Sequence, residues 1–185
     1  MNRHLAVYAG SFDPVTLGHL DVLRRSRRLF DEIVVGIGRN PKKEPLFSIE
    51  ERVSMARALV KELLEREPDG AACRVEVYHD LTVDFARRHG AVTMIRGIRN
   101  VTDLAGECQL AITNRQVAGL ETVFIVAGET FAYTSSSLIR QIAAFGGSIE
   151  KLSLFVPPLV MKALEELRND PSNPLARLAR EADGE

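Results

Sequence analysis

Five short apolar runs rich in valine and isoleucine punctuate the chain at Leu5 to Ala9, Ile33 to Ile37, Cys73 to Tyr78, Val92 to Ile95 and Thr122 to Ala127. They are too short for helices and show little polar alternation, the pattern of strands buried on both faces of a parallel sheet. Segments of helical period separate them, and parallel neighbours need such crossover segments. This alternation constrains the chain more than any other feature. It predicts an α/β fold with a five-stranded parallel sheet, doubly wound, with helices on both faces.

The helical segments have readable ends. Leu20, Leu23 and Phe30 form an apolar stripe against Arg24, Arg25, Arg27 and Arg28, whose natural reading is a solvated face. Ser48-Ile49-Glu50-Glu51 makes a capping box, and the helix it opens should stop before Pro68-Asp69-Gly70. A short helix from Thr82 should end near Gly90 as a left-handed cap, and a longer one should cover Thr102 to Val117. After the fifth strand come helical segments at Ser135 to Phe145, Ser148 to Leu152 and Pro157 to about Arg168. The expected architecture is thus a single Rossmann-like unit over residues 1–169 with C-terminal helices. Residues 170–185 hold too little apolar content to pack firmly and read as a flexible tail.

Composition narrows the function classes. A net charge of −1 over 185 residues lacks the electrostatic footprint of a dedicated nucleic-acid binder. Cys73 and Cys108 form no C-x-x-C or Cys/His cluster, which suggests a reducing compartment and no structural zinc. No apolar stretch approaches the roughly 20 residues of a membrane span, and the first ten residues lack signal-peptide architecture. The expectation is a cytoplasmic protein that engages neither membrane nor nucleic acid.

In a doubly wound sheet, ligands sit beyond the carboxyl ends of the strands, so chemistry belongs in the strand-to-helix loops. The first such loop is the most informative: Gly10-Ser11-Phe12-Asp13-Pro14-Val15-Thr16-Leu17-Gly18-His19. A helix starting near Gly18 would aim free N–H groups and its positive end at an anion, and His19 would add a neutral or cationic donor. Taken alone, His19 fits an incidental first-turn histidine equally well. Arg96 and Arg99 flank Gly97 after the fourth strand, where guanidinium groups bind phosphate bidentately or simply stay at the surface. Ser135-Ser136-Ser137 supplies a helix cap, hydroxyls and N–H groups; the bland alternative is a plain cap. Lys43 lies in the loop after the second strand, where a lysine is usually only solvated. His4, His79 and His89 belong to no recognisable site. No G-x-G-x-x-G follows the first strand and no G-x-x-x-x-G-K-[ST] occurs, so neither a dehydrogenase nor a P-loop site is supported.

The Thr16-Leu17-Gly18-His19 string is of the T-x-G-H type used by the nucleotidylyltransferase superfamily. Across about Leu5 to Leu167 the sequence resembles the phosphopantetheine adenylyltransferase family. The resemblance rests on Gly10 to His19, Pro41 to Arg52, Ile95 to Arg99 with Asp103, Glu107, Gln109 and Asn114, and Ser135 to Leu138. It implies that His19, Lys43, Ser11 and Arg99 serve catalysis. It further implies that Ser11, Phe12, His19, Gly97, Ile98, Arg99, Glu107, Phe131, Ala132, Tyr133, Thr134, Ser135, Ser136 and Ser137 contact ATP. The acceptor, 4′-phosphopantetheine, would meet Ser11, Lys43, Thr82, Arg96 and Asn114. Mg²⁺ would accompany ATP without a dedicated set of protein ligands, and the assembly would be a homohexamer.

The chain also departs from that family's pattern. Ala9 stands where proline is usual, Ser11 where threonine is usual and Leu17 where asparagine is common, and Ser11 keeps the hydroxyl. Leu104-Ala105-Gly106 replaces a common Phe-Glu-Tyr before Glu107, Thr82 replaces a frequent methionine, and the Glu65 to Ala72 connection looks longer. The reaction implied is in-line attack of the acceptor phosphate on the α-phosphorus of ATP, without a covalent intermediate. Rival readings are a nucleotidylyltransferase acting on nicotinate mononucleotide, or a nucleotide-binding module without turnover.

Overall fold

The computed structural model describes residues 3–38, 44–144 and 149–170. Five strands, β1 (Leu5–Gly10), β2 (Glu32–Ile37), β3 (Ala72–Val77), β4 (Thr93–Ile98) and β5 (Glu121–Val126), form one sheet in the order β3-β2-β1-β4-β5. Every pairing is parallel. The helices are α1 (Leu17–Ser26), α2 (Ile49–Arg66), α3 (Thr82–Arg88), α4 (Val101–Ala118), α5 (Ser136–Ala144) and α6 (Pro158–Asn169). Single 3₁₀ segments cover Glu129–Phe131 and Ile149–Leu154. The chain winds outward from β1 to β3, then returns to lay β4 on the other side of β1. The loops after β1 and β4 therefore diverge at the switch point, opening a crevice at the carboxyl edge.

Period-two alternation along the strands divides the core between two layers. Ala6, Tyr8, Ile33, Val35 and Ile95 face α1, α2, α5 and α6, whereas Leu5, Val7, Ala9, Val34 and Met94 face α3. Ile139 on α5 and Val160 and Leu164 on α6 are fully enclosed, each contributing about 1.5–3 kcal/mol of burial. That packing seats α5, and with it the serine run, against the sheet. α4, by contrast, has no buried residue.

Most sequence expectations hold, and the differences have physical causes. The Ser48 capping box is present: the Glu51 N–H donates to Ser48 Oγ at 3.2 Å, and the Ser48 N–H donates back to Glu51 Oε2 at 2.7 Å. Gly90 takes the expected left-handed conformation after α3. β4 runs three residues further than its apolar run, because Arg96, Gly97 and Ile98 continue the ladder against Phe124, Ile125 and Val126. α1 ends at Ser26, so Phe30 packs on the core from beyond the helix. The solvated-arginine reading is corrected at Arg27, which is buried and donates to the carbonyls of Ala71 and Glu67. Lys43, Phe145 to Ser148 and residues 171–185 lie outside the described residues, so the tail expectation does too.

Candidate active site

The crevice is a cleft of about 310 Å³ whose walls come from the β1–α1 loop, the end of β4, α4 and the first turn of α5. In the β1–α1 loop, Phe12 takes φ 46°, a left-handed conformation uncommon for a residue with a Cβ. Its ring is buried edge-on between Tyr8, at 5.3 Å between centroids, and His19, at 5.0 Å. The backbone strain is held by packing and by Arg52, whose Nη1 donates to the carbonyl oxygens of Ser11 at 2.7 Å and Gly38 at 3.0 Å.

Thr16 caps α1 in an unusual way. Its Oγ1 accepts the His19 N–H, while its own N–H donates to His19 Nδ1 at 3.0 Å. The imidazole thus takes the place a glutamate usually holds in a capping box. Accepting at Nδ1 leaves the ring proton of a neutral histidine on Nε2. Burial, then the positive charges of Arg99 and Arg96, lower the His19 pKa to about 4. His19 is therefore a neutral Nε2–H donor at physiological pH, which decides between the two forms the sequence left open.

Both arginines are held by α4. Arg96 donates from Nε and Nη2 to Glu107 at 2.6 Å each and from Nη1 to the Ala9 carbonyl at 3.0 Å. Burial works against the Arg96 charge, but the Glu107 contact more than offsets it and the pKa is raised. Arg99 donates from Nε and Nη2 to Asp103 at 2.7 and 3.0 Å and from Nη1 to the Thr134 carbonyl at 2.7 Å. Each guanidinium uses three of its five N–H groups in these bonds, which leaves two for a ligand. Between them Gly97 is required by close approach, since a Cβ there would meet Val22 Cγ2 at 2.9 Å.

On the opposite wall Ser135 Oγ accepts the Leu138 N–H at 3.1 Å, so its own O–H stays a donor, whereas Ser136 Oγ donates to the Pro14 carbonyl at 2.9 Å. These hydroxyls sit at the N-terminal, positive end of α5. Cation, N–H and O–H donors thus converge on one space, the arrangement that binds phosphates.

A second, mostly apolar groove of about 290 Å³ adjoins the cleft and shares Ala9 and Arg96 with it. Thr82 and Asn114 line this groove together with Leu81, Met94, Leu110 and Val117.

Among the residues expected at a site, Ser11, Phe12, His19, Arg96, Gly97, Arg99, Glu107, Thr134, Ser135, Ser136 and Ser137 line the cleft. Ile98 is buried at the end of β4, Phe131 packs behind Gly18, and neither Ala132 nor the exposed Tyr133 is among the cleft-lining residues. Sequence reasoning missed Tyr8, which also lines the cleft, beside Thr16 of the T-x-G-H string. Tyr8 looked like any core residue of a strand.

The sequence model of the cytidylyltransferase-like family matches residues 7–142. The chain is 45% identical over 173 residues to the phosphopantetheine adenylyltransferase of Rhodopirellula baltica, covering 93% of each chain. It is 46% identical over 161 residues to that of Brucella ovis, covering 86% of this chain and 95% of the relative. Among solved structures, it resembles a bifunctional NMN adenylyltransferase/ADP ribose pyrophosphatase from Francisella tularensis with a TM-score of 0.69 at 15% identity. That match covers 98% of this chain and 54% of the other. A putative nicotinate-nucleotide adenylyltransferase from Vibrio parahaemolyticus matches with a TM-score of 0.57 at 16% identity, over 89% and 93% of the two chains. At these identities the structural likeness establishes a shared fold.

Proposed function

The chain belongs to the phosphopantetheine adenylyltransferases within the cytidylyltransferase-like family, and from that membership we propose that it transfers the adenylyl group of ATP to 4′-phosphopantetheine, releasing dephospho-coenzyme A and pyrophosphate. The observation that carries the reading is the position of Arg96. It stands where a donor-lined polar cleft meets an apolar groove, as a reaction between a nucleotide and a phosphate on a long, weakly polar arm requires.

The chemistry asks little of the protein in proton transfer. A phosphomonoester has a second pKa near 6, so at neutral pH the attacking oxygen is already an oxyanion. One acceptor oxygen forms a bond to the α-phosphorus while the bond from that phosphorus to the β-bridging oxygen breaks, and the electron pair leaves with pyrophosphate. Catalysis then consists of alignment and of stabilising charge that grows on the α-phosphoryl oxygens.

In this reading the neutral Nε2–H of His19 and the hydroxyl of Ser11 donate to those oxygens. Arg99 and the first turn of α5 hold the β- and γ-phosphates, and the remaining N–H groups of Arg96 hold the acceptor phosphate. Thr82 and Asn114 flank the acceptor's arm in the apolar groove. Lys43 is assigned to the acceptor phosphate and the reacting centre on the strength of the family resemblance. Glu107, which lines the cleft, and Asp103 beside it are already paired with Arg96 and Arg99, so an accompanying Mg²⁺ would be held by substrate oxygens and water. It would supply positive charge to the leaving pyrophosphate.

The exposed apolar side chains of α4, with Val101 83% and Val117 61% accessible, support self-association, which we propose, on the family resemblance, takes the form of a homohexamer. Two free thiols, Cys73 and Cys108, fit a reducing cytoplasm.

Pyrophosphate release measured with ATP and a panel of acceptors tests the proposal. Turnover with 4′-phosphopantetheine at least about a hundredfold faster than with nicotinate mononucleotide is expected. The reverse preference would assign a different acceptor, and ATP binding without transfer to any acceptor would leave a non-catalytic module.

A further inference from the structure

The two walls that hold the triphosphate in the proposed reaction lie far apart in sequence: the β1–α1 loop, whose Ser11 and His19 meet the α-phosphoryl oxygens, and α5, whose serines meet the β- and γ-phosphates. The gap between them has to be fixed by something that lines neither wall. Asp13, in the middle of the β1–α1 loop, turns its carboxylate away from the cleft and is almost wholly buried, its side chain 6% exposed. Its Oδ2 accepts the Leu46 N–H at 2.8 Å and Arg140 Nη1 at 3.0 Å, and its Oδ1 accepts the Phe47 N–H at 3.0 Å. Arg140, 14% exposed, sits four residues after Ser136 on the same face of α5, and its Nη2 donates to the Glu44 carbonyl at 2.5 Å. One turn earlier, Ser136 Oγ donates to the carbonyl of Pro14, the residue after Asp13. Two successive turns of α5 are thus pinned to two successive residues of the β1–α1 loop, and the same carboxylate holds the segment that leads into α2.

Neither Asp13 nor Arg140 lines the cleft or the apolar groove. Two charges at this depth are not an economical way to gain stability, because desolvation consumes most of the attraction. Their directional bonds, however, define a distance. We infer that Asp13 and Arg140 form a clasp that sets the spacing between the His19 loop and the serine run, which makes them positioning residues for adenylyl transfer. The inference rests on the function proposed above. Misplacement by about 1 Å of groups that stabilise a transition state costs on the order of a hundredfold in rate while leaving ground-state binding nearly intact.

The test uses the full chain as wild type, Arg140→Ala, Arg140→Lys and Asp13→Asn. It measures kcat, the KM of each substrate and a thermal melt. The clasp predicts that Arg140→Ala lowers kcat about a hundredfold with KM for ATP within about threefold, and that Arg140→Lys, which keeps a donor for Asp13, recovers about tenfold of the loss. Asp13→Asn should fall in kcat as well. It and Arg140→Lys carry the test if Arg140→Ala does not fold. Folded variants with kcat within about threefold of wild type would overturn the clasp. So would a loss confined to KM for ATP, since that would make Arg140 a nucleotide ligand. A wild-type protein that releases no pyrophosphate would instead refute the proposed function and the clasp's role with it.

Discussion

Thr16 and His19 show how much a single hydrogen bond decides. Because the Thr16 N–H occupies Nδ1, the proton of His19 resides on Nε2, and burial beside Arg99 and Arg96 keeps the ring neutral down to about pH 4. An NMR titration of the free enzyme should therefore show no protonation of His19 between pH 8 and 5; a midpoint near 6.5 would contradict this. Stability follows with a definite sign. Between pH 6.5 and about 4 the unfolded chain binds a proton at this position and the folded chain does not, so stability falls as pH drops, by on the order of 3 kcal/mol across the window. His19→Asn should flatten that part of the profile in denaturant melts. His19→Ala should lower kcat by about 10²–10³ while changing ATP binding far less. Arg99→Ala should chiefly raise KM for ATP and Arg96→Ala KM for the acceptor, which separate KM measurements resolve. If both changed ATP alone, the division of the two arginines between substrates would be wrong.

Elements were legible where a period or a cap announced them, as in the Ser48 capping box and in Gly90, the left-handed residue that follows α3. Legibility failed where a residue's partner is remote. Arg96 and Gly97 look like loop residues until β5 is seen to pair with them, and Arg27 looks solvated until the carbonyls of the Glu67 to Ala71 turn close on it. Asp13 and Arg140 are 127 positions apart, and no local pattern links them. In α4, Gly106 is an element-scale anomaly, a helix-interior glycine where a Cβ would meet nothing within 4 Å. Gly106→Ala should raise the stability of the isolated chain by about 0.5–1 kcal/mol in a denaturant titration. A loss would show that something outside the chain packs against that position.

At the scale of the whole molecule, the topology explains why the chemistry lies where it does. Reversal of winding between β1 and β4 opens the crevice, the β1–α1 loop and α5 give it anion donors, and α4 holds both arginines ready from the third side. Residues 171–185 follow α6 in the sequence and hold little apolar content. A chain ending at Asp170 should keep its mass by light scattering and its turnover within about twofold; dissociation would make the tail an assembly element. The central claim, direct adenylyl transfer to 4′-phosphopantetheine, is tested most directly by mass spectrometry of the products formed from ATP and acceptor labelled with ¹⁸O in its phosphate. The account predicts dephospho-coenzyme A retaining all of the label and pyrophosphate carrying none. Absence of that product, or label in the pyrophosphate, would contradict it.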